Sequence, residues 1–179
     1  MDRTVQRAFM HIDSGSGQKP PALVGTKSVW CGTIVCSPTE TCPWASPPGY
    51  GNNWNQVFQS TPFNVNGDVS VSYAVKYDLE ASYDFAYLEY AGANNVWHTL
   101  HTFTGTGFTN PVNDIIPGAN YTGPLRIRFR VQTDGSGSDE DGLYPSNGAL
   151  QIDNLVAHAG PTTLCNETFE SEVAGDLTT

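Results

Sequence analysis

The densest group of chemically active side chains lies in residues 133–142, a polar, glycine-containing run with four carboxylates. Carboxylates this close together repel one another unless a cation is present, and Ca²⁺ takes about six to eight oxygens from carboxylates and carbonyls. The run therefore predicts a calcium site, although its spacing is not that of an EF-hand, and the alternative is a solvated acidic turn. The candidate ligands are Asp134, Asp139, Glu140, Asp141 and Asp153.

The chain lacks the short motifs of common enzymes: it has no HExxH, no GxSxG and no glycine-rich phosphate loop. Glu80, Asp84 and Glu89 could supply the acid and base of a glycosidase, which needs two carboxyls about 5 to 10 Å apart. Carboxylates on adjacent strands reach that spacing by accident, so we expect no enzymatic activity. A glycosidase or peptidase domain stays an alternative.

Four cysteines point to an oxidising compartment. Three of them crowd a loop rich in Pro, Ser and Thr, without the CxxC spacing or His partners of a zinc site. We therefore expect two disulfides, one of which ties the last cysteine back to the loop, and an extracellular location. The cysteines are Cys31, Cys36, Cys42 and Cys165.

The same loop, residues 31–54, has no usable periodicity and carries aromatic residues among its prolines and glycines. Sugar-binding sites use flat aromatic faces together with a few polar groups. Trp44, Tyr50 and Trp54 are therefore the candidate ligand-binding residues for a glycan, whereas Trp30 and Trp97 are expected in the core.

Five segments of alternating polarity supply the strands that must hold these loops. The first three are predicted to be neighbours, and the second and third to form a hairpin. With 18 Gly, 12 Pro and 8 Tyr in 179 residues, the composition indicates short strands joined by turns, hence an all-β fold. The segments are Val69–Leu79, Tyr83–Tyr90, Val96–Phe103, Leu125–Val131 and Ala149–Ala157.

The fourth segment places Arg126, Arg128 and Arg130 on one face. Such a stripe is more often a solvated sheet face paired with acidic neighbours than an anion site. The whole chain carries a formal charge of −10, which repels phosphate backbones and anionic lipid. We therefore expect that the protein neither binds nucleic acid nor inserts into membranes.

The fifth segment is interpreted as the last strand before a linker. Its alternation predicts one face made of Leu150, Ile152, Asn154 and Val156. We therefore expect one sandwich domain over residues 1–160, followed by a linker and a final strand in residues 161–179.

Several of these stretches together resemble a known family. Residues 83–90, then Trp97, then 126–134 and 148–155 are similar to the jelly-roll domains that accompany immune-inhibitor-A-type metallopeptidases, and to the MAM-like and cleaved-adhesin domains. The resemblance implies an antiparallel two-sheet jelly-roll sandwich without catalytic activity, commonly with structural calcium, attached to secreted proteases, glycosidases and adhesins.

In that family the domain opens with a Phe-Glu strand beside the last strand, and its Glu helps the Asp of an Ile-Asp-Asn ending to hold calcium. In this chain Phe169-Glu170 stands near the end instead. The resemblance thus implies that Glu170 and Asp153 share one ion. The displaced strand could refill the same slot, begin a repeat, or complete a neighbouring subunit by strand donation.

We therefore expect a calcium-stabilised accessory module of an extracellular protein, binding glycan or protein surfaces. The displaced strand favours a second possibility, a repeating subunit of an extracellular filament or surface layer that self-assembles through its C-terminal strand.

Overall fold

The chain forms two antiparallel β-sheets packed face to face, in a computed structural model that describes residues 9–15, 17, 19–34, 45–46, 48–171 and 175–176. The larger sheet contains β1 (Met10–Asp13), β2 (Ser28–Cys31), β4 (Val69–Asp78), β7 (Thr106–Ile116), β9 (Leu150–Ala159), β10 (Thr162–Glu167) and β11 (Gly175–Asp176). The smaller sheet contains β3 (Asn55–Gln59), β5 (Phe85–Ala91), β6 (His98–Phe103) and β8 (Arg126–Gln132).

The strand order is that of a jelly roll. The larger sheet runs β11-β1-β2-β9-β4-β7, with β10 also paired to β9, and the smaller runs β3-β8-β5-β6. The eight strands β2 to β9 form the jelly roll. Numbered from one to eight, they lie in the order 1-8-3-6 in the larger sheet and 2-7-4-5 in the smaller sheet, which is the order that two Greek keys produce. The predicted all-β jelly-roll sandwich is confirmed. In the part of the chain that is described, no helix is long and apolar enough to cross a membrane.

Strand β4 does not lie beside β5, contrary to the prediction. It pairs with β7 and β9, and the connection after it crosses to the smaller sheet, where β5 and β6 form the expected hairpin. Val71, Tyr73 and Val75 turn into the core between the sheets. Alternation shows that one face of a strand is buried, but it does not show which sheet contains the strand.

Strand β7 is the element that the sequence patterns missed. Its run contains Gly107 and Pro111, residues that weaken or interrupt a central strand. The structure accommodates them because β7 is the edge strand of the larger sheet, paired with β4 alone. Its outer residues include Phe108 and Ile115, which are 57% and 62% exposed.

Strand β9 carries contacts along both of its edges. One edge pairs with β4, and the other pairs with β2 over Leu150–Ile152 and with β10 over Leu155–Ala159. The pairing with β4 shifts register close to Asn154, whose φ is +47°. The inner face therefore consists of Leu150, Ile152, Leu155 and Ala157, not of the predicted set with Asn154 and Val156.

The C-terminal segment belongs to the same sandwich. Residues 162–167, expected in the linker, form β10 as a hairpin partner of β9, and β11 pairs with β1. Phe169 is 3% exposed and packs edge-on against Phe58, with ring centroids 5.9 Å apart. Phe169 of the displaced Phe-Glu pair thus lies within the core of its own chain, whereas Glu170 is exposed.

Replacement of Phe169 by Ala should lower the free energy of unfolding by about 3 to 5 kcal/mol, the usual cost of emptying a buried aromatic site. Urea denaturation followed by tryptophan fluorescence measures this loss. The matched variant Phe108→Ala, on the exposed face of β7, should change stability by about 0.5 kcal/mol at most. A wild-type midpoint that rises with protein concentration would contradict a strand that folds back within one chain.

Candidate functional site

Glu170 holds the turn formed by residues 24–27. Its Oε1 accepts hydrogen bonds from the backbone N–H of Thr26 at 2.8 Å and of Lys27 at 3.1 Å, and its Oε2 accepts the Thr26 hydroxyl. Gly25, with φ +64°, leaves space that a side chain would take from this carboxylate. The hydrogen bonds from Thr26 and Lys27 keep the pKa of Glu170 below its ordinary value.

Asp153 reaches the same 24–27 turn from β9. Its Oδ2 accepts the Val24 N–H at 2.9 Å and its Oδ1 accepts the Asn154 N–H at 2.7 Å. The side chain is completely buried, and this burial, reinforced by the nearby charge of Glu170, raises its pKa despite the two hydrogen bonds. The two carboxylates that the family resemblance paired thus both accept backbone N–H groups of one turn.

A third carboxylate, that of Asp13 at the end of β1, lies beside the start of β2, which directly follows the 24–27 turn. Asp13 is opposite Ser28 on β2, and Ser28 precedes the residue of β2 that pairs with Ile152 of β9. Asp13 is 6% exposed; its Oδ1 accepts Lys19 Nζ at 2.7 Å, whereas its buried Oδ2 has no hydrogen-bond partner in the described structure. A buried carboxylate oxygen without a donor is costly, so this oxygen is available to a cation.

The carboxylates of the 133–142 loop are used differently, because backbone amides of the loop and its neighbours bind them. Asp139 is completely buried and accepts the N–H of Tyr50 at 2.9 Å and of Ser146 at 2.7 Å. Asp141 accepts the N–H of Gly137, at 2.8 Å, together with those of Ser138 and Leu143. Burial raises the pKa of Asp139; for Asp141, burial acts the same way but hydrogen bonds, the largest from Leu143, outweigh it and lower the pKa.

Asp134 is exposed and stabilises the start of this loop. Its Oδ1 accepts the Ser136 N–H at 3.0 Å, and its own N–H donates to Oδ1 of Asp84 at 2.9 Å. The six predicted metal ligands are thus split between two places: Asp153 and Glu170 at the 24–27 turn, and Asp134, Asp139, Glu140 and Asp141 in the 133–142 loop. In the described part of the chain, no group of three or more His, Cys, Asp or Glu side chains is arranged to hold a metal ion.

Two of the predicted glycan-binding aromatics are core residues, which corrects the expectation of an exposed aromatic loop. Tyr50 is completely buried and donates its hydroxyl to Asp84 at 2.6 Å. Trp54 is 7% exposed and stacks on Phe9, with ring centroids 4.1 Å apart. Because both rings are enclosed by protein, neither can present a face to a ligand, and Trp44 lies outside the described residues.

Among the described residues, no disulfide joins Cys165 to Cys31, the loop cysteine that the structure describes. Cys31 and Cys165 are free thiols, whereas Cys36 and Cys42 lie outside the described residues. Cys31 is opposite Leu150 and Cys165 is opposite Ala157. These positions are seven residues apart on β9, or about 23 Å at 3.3 Å per residue, whereas a disulfide needs Cα atoms within about 7 Å.

The arginine stripe of β8 forms an ordered layer on the outer face of the smaller sheet. Glu89 of β5 accepts Arg128 Nε at 2.6 Å, and it binds Arg130 through two bonds of 2.7 and 3.0 Å. The guanidinium carbon of Arg128 lies 3.9 Å from the ring centroid of Trp97, and that of Arg130 lies 4.4 Å from the centroid of Tyr87. We call this layer, together with Arg126, the arginine face.

The expectation that Trp97 is a core residue is wrong. It is half-buried on the outer face, with Arg126 5.5 Å from its ring centroid as well as Arg128. Burial opposes ionisation of Glu89, but hydrogen bonds from Arg130 and Arg128 outweigh it and lower the pKa. The alternating arginines in the sequence indicated an outward stripe, but nothing local indicated that aromatic rings would cover it.

Comparison with known proteins assigns no family to the chain. No protein-family model matches it, and no curated protein matches it. Among solved structures, it is similar to a mutant VP2 protein of infectious bursal disease virus in derived T=1 particles, at 16% identity and a TM-score of 0.28. The likeness covers 66% of this chain and 35% of that chain. We infer neither fold nor function from a likeness of this size.

Replacement of Glu89 by Gln should cost about 2 to 3 kcal/mol at pH 7, less than for a fully buried pair because the guanidiniums stay partly solvated. Because the folded-state pKa of Glu89 is below its ordinary value, its contribution is complete above about pH 4.5. It is lost as the pH falls through the folded-state pKa. The stability difference between wild type and variant should therefore shrink from pH 5 to pH 3.

Urea denaturation across that pH range measures the difference. Glu167→Gln, which changes an exposed carboxylate on β10, serves as the matched control and should show little difference at either pH. A difference for Glu89→Gln that stays constant down to pH 3 would contradict the pairing.

Proposed function

We propose that this chain is a non-catalytic, calcium-stabilised recognition module of an extracellular protein that binds glycan or protein surfaces. The observation that carries the recognition role is the arginine face, where guanidinium groups stack on Trp97 and Tyr87. Arginine and large aromatic side chains supply much of the affinity of many recognition surfaces because they combine contact area with directed donors. A rigid sheet holds these groups in place before a ligand arrives.

Calcium is assigned in this proposal to the 24–27 turn. Asp153 and Glu170 approach that turn from two different parts of the chain, and the orphan oxygen of Asp13 lies at the same end of the sheet. Oxygen donors of this kind suit a hard cation, with backbone carbonyls completing the set. The ion would offset the repulsion between Asp153 and Glu170 and would lock the chain end onto the sandwich.

The 133–142 loop is a weaker candidate for the ion, because none of its described carboxylates has a buried oxygen without a hydrogen-bond partner. Several backbone N–H groups already compensate the charges of Asp139 and Asp141. Hydrogen bonds to a charged carboxylate are strong, so this loop has an internal means of reducing its own repulsion.

Calcium at about one hundred times its dissociation constant should stabilise the fold by about 2.7 kcal/mol, or by about 5 to 10 °C in melting temperature. Differential scanning calorimetry with calcium and with chelator measures the increment. Asp153→Asn and Glu170→Gln should each abolish most of it. Asp141→Asn, a matched carboxylate change in the other loop, should lower the basal melting temperature but keep the increment. The calcium assignment fails if chelator leaves the wild-type melting temperature unchanged.

Recognition is tested by screening the chain against arrays of glycans and extracellular proteins. Trp97→Ala should lower affinity for the selected ligand by about tenfold or more, as expected for an aromatic residue at the centre of a binding surface. Phe108→Ala, which removes an exposed aromatic ring from the other sheet, should leave affinity unchanged. Equal affinity of both variants and wild type would remove the arginine face from the proposal.

A further inference from the structure

Charge is unevenly distributed between the two sheets. The four strands of the smaller sheet contain three arginines and a single acidic residue, Glu89, so their formal charge is about +2. The whole chain carries −10. The outer face of the smaller sheet is therefore a cationic surface on an acidic protein, and its field attracts anions that the rest of the molecule repels.

Arg128 retains donors for such an anion. It donates Nε–H to Glu89, and in the described structure its two terminal nitrogens donate no hydrogen bond. The Trp97 ring lies 3.9 Å from the guanidinium carbon and limits its movement. Arg126 is held by Asn95 beside the same ring. A guanidinium fixed in this way loses little conformational entropy when it binds an oxyanion.

The surroundings of the arginines favour a hydroxyl-rich ligand over an apolar one. None of the exposed large hydrophobic side chains of the described structure belongs to the four strands of the smaller sheet, although Val96, the chain neighbour of Trp97, is 51% exposed. Protein interfaces generally need such apolar anchors at their centre. The exposed amide and hydroxyl side chains of these strands include Asn55, Gln59, Thr99, Thr102 and Gln132.

The planar fork of arginine matches a carboxylate, and the arginine face already contains that match. Arg130 binds the Glu89 carboxylate through its Nε and Nη2 atoms. A second carboxylate, brought by a ligand, could bind end-on to the two terminal nitrogens of Arg128, which form the other two-donor edge of a guanidinium.

We infer that the arginine face binds a polysaccharide whose sugars carry carboxylates, a polyuronate. Arg128 and Arg126 donate to the carboxylates, and the rings of Trp97 and Tyr87 lie beside the sugars. This assignment rests on the proposed recognition function and adds the class of ligand to it.

The test measures binding of the full chain to polygalacturonate and to its fully methyl-esterified form, which has the same sugars without the charge. Binding to the acidic polymer should be about tenfold tighter than to the esterified polymer, because charge-assisted hydrogen bonds add to the free energy of binding. The binding should weaken as salt is added. Arg126→Gln and Arg128→Lys should each reduce affinity about fivefold or more, because lysine keeps the charge but loses the planar fork.

Two comparisons make the result specific. Lys76→Gln removes an exposed positive charge from the larger sheet and should change affinity less than about twofold. Dextran sulfate of matched charge density should bind more weakly than polygalacturonate. Circular dichroism of Arg126→Gln, which leaves Glu89 paired with Arg128 and Arg130, separates lost binding from lost folding.

Equal binding of the sulfated polymer, or an equal loss for Lys76→Gln, would overturn the carboxylate assignment in favour of unspecific charge attraction. Binding only to neutral glycans or to proteins would overturn the polyuronate inference and leave the recognition function standing. Binding to no member of either array would overturn both.

Discussion

The hydrogen-bonded ladder around β9 is the interaction on which the larger sheet depends. This strand binds β4 along one edge and both β2 and β10 along the other, so the chain start, the middle and the chain end all meet on it. Its inner residues Leu150 and Ile152 are buried in the core between the sheets. Loss of this ladder would leave β1, β2 and β10 without a partner that connects them to β4 and β7.

The chain limits the repulsion of its carboxylates mainly with backbone amides. Asp139 and Asp141 accept backbone N–H groups of the 133–142 loop and its neighbours, and Glu170 accepts those of the 24–27 turn. The two regions differ in the carboxylate oxygens and charges that these hydrogen bonds leave unsatisfied. Asp153 is buried next to a second negative charge, and Asp13 keeps an oxygen without a donor. Among the described carboxylates, Asp13 thus keeps a buried oxygen without a donor close to the strand that carries Asp153.

In the arginine face, a carboxylate is bound by side chains and not by backbone amides: the buried Glu89 accepts hydrogen bonds from two arginines. Glu89 satisfies its oxygens with Arg128 and Arg130, and the aromatic rings then fix the guanidinium planes. The pairing that stabilises this layer also fixes the orientation of its guanidinium groups. A stripe that sequence patterns describe as a solvated face is, in three dimensions, a fixed array of donors.

The sequence by itself determined five strands, β4, β5, β6, β8 and β9, and the outward arginines of β8, because period-two alternation is a local consequence of backbone geometry. It predicted the wrong inner face for β9, where a register shift interrupts the alternation. The family resemblance predicted that Asp153 and Glu170 share one ion, and that stays a prediction. Only the tertiary structure decided that β4 lies in the other sheet from β5, that β7 tolerates Pro111 at an edge, and that Tyr50 and Trp54 are core residues. Those outcomes depend on which distant segments share the buried space between the sheets. The same holds for Cys31 and Cys165, whose separation is set by register along β9, a property that no local pattern contains.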